Sequence, residues 1–268
     1  MEIIGYIGAI LMGLSLGLIG GGGSILTVPI LVYLFHVDAV IATAYSLFIV
    51  GLTSLVGSMS HVKLGNIHWK TALVFGIPSI ISVFLTRLYL VPAIPNPLFS
   101  VGTFTVGKPM ALLVLFAVIM ILAAYSMIKP AKKSAEASAN GVIEFNFPLI
   151  LAEGLIVGVV TGLVGAGGGF LIIPALVLLA KLPMKQAVGT SLMIIAAKSL
   201  IGFIGDMNGD EVIDWQFLGF FSTLAIVGIV AGTLLSKKIA GEKLKPAFGW
   251  FVLIMGIYII VMEIMKMK

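Results

Sequence analysis

The sequence contains no cysteine and only three histidines, and just 10% of its 268 residues are charged. The missing cysteines exclude disulfides, thiolate metal sites and cysteine nucleophiles. The shortage of charge excludes more. A soluble domain carries about 25% charged and about 45–50% apolar residues. Here 60% are hydrophobic, and the mean hydropathy is +1.21. Such a chain cannot solvate its own surface, so most of it must face a lipid bilayer. At about 20 residues per crossing, the length allows roughly eight to ten membrane segments and no sizeable extramembrane domain. Catalytic signatures are lacking too. There is no HExxH, no histidine within an apolar run and no close pair of carboxylates inside one. Hydrolysis needs a nucleophile with its base, or a metal. No enzyme, cofactor or metal site is therefore expected.

The net charge is 16 − 11 = +5. The basic residues sit in short gaps between apolar runs, which is how a polytopic protein orients itself. No basic patch interleaved with aromatics suits nucleic acid. The opening MEIIGYIGAIL has an acidic residue where a signal peptide has a basic one, and it reads as a retained membrane segment.

The apolar runs fall near 3–19, 25–36, 40–60, 70–91, 109–128, 148–163, 170–180, 186–205, 215–236 and 247–265. Most can span about 30 Å as helix. The runs 25–36 and 170–180 are too short, and each follows a glycine cluster. One clearly hydrophilic stretch, 129–147, divides the chain almost in half.

The halves repeat. GLIGGGGSILTVP begins at Gly17 and GLVGAGGGFLIIP at Gly162, an offset of 162 − 17 = 145 that holds without a gap to residue 57. Gly20/Gly165, Gly22/Gly167, Pro29/Pro174, Ser46/Ser191, Ser54/Ser199 and Gly57/Gly202 are all in phase. Duplicated halves with interrupted hydrophobic segments in matching places are a transporter pattern. If each glycine cluster makes a hairpin that returns to its own side, the gaps 61–70, 129–147, 181–185 and 237–246 share one face, and they hold most of the lysines. The opposite face then holds Arg87, Lys108 and the acidic gap with Asp206, Asp210, Glu211 and Asp214. A single kinked crossing in place of each hairpin spoils this segregation. The positive-inside rule thus favours hairpins, with the linker cytoplasmic. Only the basic tail, Lys266 and Lys268, runs against it.

The expected fold is an all-α polytopic membrane protein of two homologous, inverted-topology halves. Each half opens with a glycine-broken re-entrant helical hairpin followed by three transmembrane helices. Residues 1–128 form the first membrane repeat, 129–147 the hydrophilic linker and 148–268 the second repeat.

Irregular backbone at membrane depth is tolerated only where protein buries it or a cavity wets it. The short helices are expected to start near Ser24–Ile25 and Gly169–Phe170, with unpaired first amides and a positive dipole end. Two such ends facing each other would make an anion site. Tight helix packing is the other use of such glycines. Neither cluster is a P-loop, because no Lys-Ser/Thr follows. The candidate substrate-binding residues are Gly21, Gly22, Gly23, Ser24, Gly167, Gly168 and Gly169, with Thr43, Ser46, Thr190 and Ser191 on the following helices. Those hydroxyls can donate to an anion or simply bond between helices. Lys198 lies in mid-helix, and a charge at mid-bilayer usually faces a cavity or a partner. It can attract an anion, cycle a proton or pair with Glu153. Arg87, at its helix end, is expected to snorkel outward. His61 and His68 are expected at the surface, and Glu263 at the interface. Trp69 and Trp215 begin corresponding helices, as interfacial anchors do.

GLIGGGGSILTVPIL, its repeat GLVGAGGGFLIIPAL and the following TAYS and GTSL stretches resemble the TauE/SafE family of sulfite exporters. The resemblance covers nearly the whole chain. It implies an inner-membrane permease for sulfite, sulfonates or related small sulfur-containing anions. It selects no one cargo, and it leaves direction and the coupled ion, a proton included, open. A passive anion channel and a structural membrane subunit are the other classes considered. A homodimer is compatible with the sequence, but no residue specifies it.

Overall fold

The computed structural model describes residues 2–101, 104–128, 147–178, 180–207, 213–236 and 241–266. The linker 129–147 lies outside the described residues except for Phe147, as do Asp210, Glu211, Lys237 and Lys238.

Ten helical segments are described. In the first half they are α1 (Glu2–Ile19), α2 (Gly21–Leu34), α3 (Ala39–Lys63), α4 (Trp69–Ala93) and α5 (Lys108–Ile128). In the second half they are α6 (Phe147–Val164), α7 (Gly169–Leu178), α8 (Met184–Asp206), α9 (Trp215–Ser236) and α10 (Gly241–Lys266). Each helix in the first half thus has its counterpart five places on. The protein is an all-α polytopic membrane protein, and α1, α3, α4, α5, α8 and α9 are long and apolar enough to cross a membrane. One feature was not expected. A two-stranded antiparallel ribbon, β1 (Phe99–Val101) and β2 (Phe104–Val106), joins α4 to α5, with Phe99 opposite Val106.

The surface of α4 shows why the fold needs lipid. Leu73, Ile77, Ile81 and Leu85 recur every fourth residue and are about half exposed, whereas Phe75, Ser79 and Val83 face inward and are buried. Burying such side chains is worth roughly 1.5–3 kcal/mol each, so water would not tolerate the stripe. Trp69 and Trp215 are both exposed at the starts of α4 and α9.

The first hairpin is visible in its contacts. α2 doubles back along α1, so that Phe35 packs on Gly5, Ile30 on Gly8 and Gly23 on Met12 and Leu16. The larger helix contacts respect the repeat. α1 packs on α9 as α6 packs on α4, α3 packs on α9 as α8 packs on α4, and α3 meets α8 as α5 meets α10. Glycines permit the closest of these crossings. Gly13 and Gly17 of α1 lie against the backbone of α9 at Ala225 and Ile229. Their counterparts Gly158 and Gly162 lie against Ser79 and Thr86 of α4. Along α3 and α8, Leu47 faces Gly202, Gly51 faces Leu200 and Gly57 faces Leu192. The numbers rise on one helix as they fall on the other, so the two counterparts run antiparallel.

A pair of hydrogen bonds repeats across the halves. His68, the N-cap of α4, donates its backbone N–H to Thr190 Oγ1 of α8 at 2.9 Å. Asp214 stands at the start of α9 and accepts from the Phe217 N–H, and it donates its own N–H to the Tyr45 hydroxyl of α3 at 2.7 Å. Each bond ties a helix start in one half to the central helix of the other.

Candidate functional site

Both breaks turn on glycines that no other residue replaces cheaply. Gly20 and Gly165, equivalent in the repeat, have φ +83° and +74°. Gly167 and Gly168 follow at +65° and +67°. This is the left-handed region, which costs L-residues about 1–2 kcal/mol each. The turn around Gly165 to Gly168 sets the Gly168 carbonyl as acceptor for the Leu171 and Ile172 amides. The Gly169 and Phe170 amides at the head of α7 then have no helical carbonyl to reach.

The first short helix differs from expectation. It begins at Gly21 rather than near Ser24, because Gly21–Leu26 winds as a 3₁₀ helix before Thr27–Pro29 and a π turn over Ile30–Leu34. The tighter winding takes up the glycines. Ser24 Oγ donates to the Gly21 carbonyl at 2.8 Å.

The two clusters meet. A Cβ on Gly21 would strike the Gly169 backbone, and a Cβ on Gly169 would strike Gly21. Gly167 is flanked by Val50 of α3, Ile195 of α8 and Ser24. Val50 and Ile195 are themselves equivalent (50 + 145 = 195). The contact therefore sits at the centre of the pseudo-symmetric arrangement. It is closed, with residues 19–29 and 164–170 buried throughout.

Lys198 lies beside it. The side chain is fully buried, and its ammonium is 2.8 Å from where a Gly168 Cβ would stand. It donates to Thr161 Oγ1 at 2.9 Å. It is not paired with Glu153, whose buried Oε2 has no hydrogen-bond partner. An ammonium has three donors, and one bond to a hydroxyl leaves capacity for an anion. On the faces of α3 and α8 that flank the cluster, Ser46, Thr53, Ser54 and Ser199 are buried with hydroxyls that have no hydrogen-bond partner.

Gly21, Ser24, Gly167, Gly168, Gly169 and Lys198 are therefore brought together, whereas Gly23 packs on Met12, Ser15 and Leu16 of α1 and Gly22 is buried between its neighbours. Thr43 borders the group, its backbone against Gly165. Thr190 is engaged by His68, and Ser191 Oγ donates to the Val188 carbonyl at 2.8 Å. Those two hydroxyls serve the scaffold in this state.

Two side chains stand where the sequence did not put them. Arg87 does not snorkel outward: it is 1% exposed and donates through Nη1 to Thr43 Oγ1 at 3.0 Å and to Asp206 Oδ1 at 3.5 Å. The π turn Thr86–Leu90 aims it inward, and Gly205 makes room for its Cβ. His61 is not a surface residue. It belongs to α3 and packs on Gly189, and neither ring nitrogen has a hydrogen-bond partner. Glu263 is packed within the protein, 4% exposed, and accepts from the Tyr33 hydroxyl at 3.2 Å. Among the described residues no three His, Asp or Glu gather as a metal site would require.

Residues 6–259 match the family model described as sulfite exporter TauE/SafE. A probable membrane transporter protein of Xylella fastidiosa strain 9a5c is 30% identical over 253 residues, covering 93% of this chain and 91% of its own. A probable membrane transporter protein of Methanocaldococcus jannaschii is 27% identical, covering 96% and 93%. Probable membrane transporter protein YunE of Bacillus subtilis is also 27% identical, covering 85% and 88%. No solved structure matches the chain.

Proposed function

The chain belongs to the sulfite exporter TauE/SafE family and is a membrane transporter, and from that premise we propose that it is a secondary carrier that exports a small sulfur-containing oxyanion across the cytoplasmic membrane. The binding site is the junction of the two glycine clusters. One observation carries this reading: the heads of two short broken helices abut at Gly21 and Gly169, beside a buried lysine with no carboxylate partner. Half-helix N-termini offer unpaired amides and a positive dipole end to an anion. Lys198 adds a full charge within the same space.

The antiparallel run of α3 and α8, and the matching bonds from His68 and Asp214, support an inverted relation between the halves. Inverted repeats supply two equivalent arrangements of one site, one open to each side. The buried junction corresponds to the closed state between them. No ATP-binding motif is present, so a gradient drives the flux. The lysine-rich gaps orient the linker toward the cytoplasm.

Radiolabelled sulfite flux into proteoliposomes, with and without a pH gradient, tests the proposal. Saturable flux that is lost in Lys198→Ala is expected. Non-saturating flux insensitive to Lys198 would point to a channel and overturn the carrier reading.

A further inference from the structure

Arg87 has a chemistry that the junction does not use. Its guanidinium is buried, yet only Nη1 is engaged. Nε and Nη2 have no hydrogen-bond partner. These two N–H groups form the parallel fork that grips two oxygens of one oxyanion. Asp206 fills the role poorly. It approaches from the Nη1 end at 3.5 Å, longer than the roughly 2.7–2.9 Å of a good charge-assisted bond, and its Oδ2 is buried without a partner. Arginine–carboxylate pairs are frequently bidentate, and this one is not. The two sides also differ in access to water, since the Asp206 side chain is 17% exposed while that of Arg87 is 0% exposed. Lys108 at the start of α5 lies within electrostatic reach of Arg87, Asp206 and Asp38. Thr43 links the cluster to the junction: it receives Nη1 on its hydroxyl and lays its backbone on Gly165.

We propose that Arg87, backed by Thr43, is a second binding site for the oxyanion, at the membrane face that carries Asp206, and that Asp206 occupies this site while the glycine junction is closed. This rests on the anion-transport reading above. An incoming anion with two or three oxygens on one centre, sulfite or a sulfonate, takes the Nε–Nη2 fork and releases Asp206. A buried guanidinium is costly to leave uncovered, so carboxylate and anion exchange rather than depart independently. Thr43 and the Gly165 turn lie between that site and the junction.

The test uses the purified full-length protein, with sulfite as the probe. Binding is read from the rise of the thermal unfolding midpoint with sulfite concentration, and flux is read in proteoliposomes in parallel. Asp206→Asn removes the internal competitor and is expected to tighten the apparent Kd about threefold or more, whereas Arg87→Gln weakens it about tenfold. Arg87→Lys keeps the charge but loses the fork, and it should also weaken binding. The tightening by Asp206→Asn persists in a Lys198→Ala background, because the two sites are separate. If Arg87→Gln does not fold, Asp206→Asn and Arg87→Lys decide the matter alone. Unchanged affinity in Asp206→Asn, loss of its effect in Lys198→Ala, or no sulfite-dependent shift in any variant overturns the Arg87 site. Wild-type flux with none of these binding changes sinks the Arg87 site and leaves the carrier standing. Arg87-dependent binding without any flux sinks the carrier and leaves the site.

Discussion

Substituting alanine at Gly169 tests whether the closed junction is a working part. A Cβ there would lie 2.7 Å from the Gly21 carbonyl carbon and 2.6 Å from Ile195 Cδ1, and would press on the Gly21 Cα as well. Non-bonded carbons rest at about 3.5–4.0 Å. Ile195 can rotate its terminal methyl away, but the Gly21 backbone cannot yield in that manner. The two short helices must therefore part by about 1 Å, and overpacking of this kind costs roughly 1–3 kcal/mol. Alanine recovers up to about 1 kcal/mol through helix propensity, so a cost near the middle of that range, about 2 kcal/mol, leaves about 1–2 kcal/mol. If transport requires the junction to close, that cost falls on the closed state. Since 1.4 kcal/mol is tenfold in a population, flux should drop by about tenfold. Gly219→Ala is the control, because it is helical, exposed and has nothing within 4 Å of its Cβ. It should gain up to about 1 kcal/mol of stability and transport normally. The assays are thermal unfolding in detergent and sulfite flux in proteoliposomes. Wild-type flux and affinity in Gly169→Ala would refute the reasoning.

Other outcomes follow from the same structure. Lys198→Met should raise the half-saturation for sulfite about tenfold or more, since bonds to charged groups are worth about 1.5–3 kcal/mol. Its unfolding midpoint should hold or rise, because an apolar side chain of similar length replaces a buried charge that has no opposite partner. A parallel loss of fold and flux would make Lys198 structural. Thr190→Val and Tyr45→Phe each strip the acceptor from a backbone N–H, of His68 and Asp214 respectively, and should each cost about 1–3 kcal/mol. The double variant should show the sum, since the two bonds share no residue; strong coupling would contradict two independent ties. Single cysteines at Lys70 and Gln216, both exposed and each beside a tryptophan anchor, should be labelled from opposite sides of the membrane. Labelling of both from one side would overturn the topology.

The repeat was legible because glycine, proline and serine carry backbone requirements that survive when apolar residues drift. Gly20 and Gly165 need left-handed φ, and the offset of 145 places them together without any structural knowledge. The meeting of the clusters was foreseeable from that symmetry. The roles of individual hydroxyls were not. Thr190 and Ser191 look alike in sequence, but the partner of Thr190 is 122 residues away and that of Ser191 is three. Arg87 was misread for a similar reason. Near a helix end a lone arginine ordinarily reaches for water, and only the π turn Thr86–Leu90 and the distant Asp206 turn it inward. The apolar run alone places His61 in a gap, but α3 continues past that run to Lys63.

The central claim is that one oxyanion site serves both sides in turn. Counterflow tests it most directly. Proteoliposomes are loaded with unlabelled sulfite and diluted into a trace of labelled sulfite. The account predicts transient accumulation of label above its equilibrium level, dependent on the internal sulfite and about tenfold slower in Gly169→Ala. Simple equilibration of label, whether or not sulfite is inside, would contradict it.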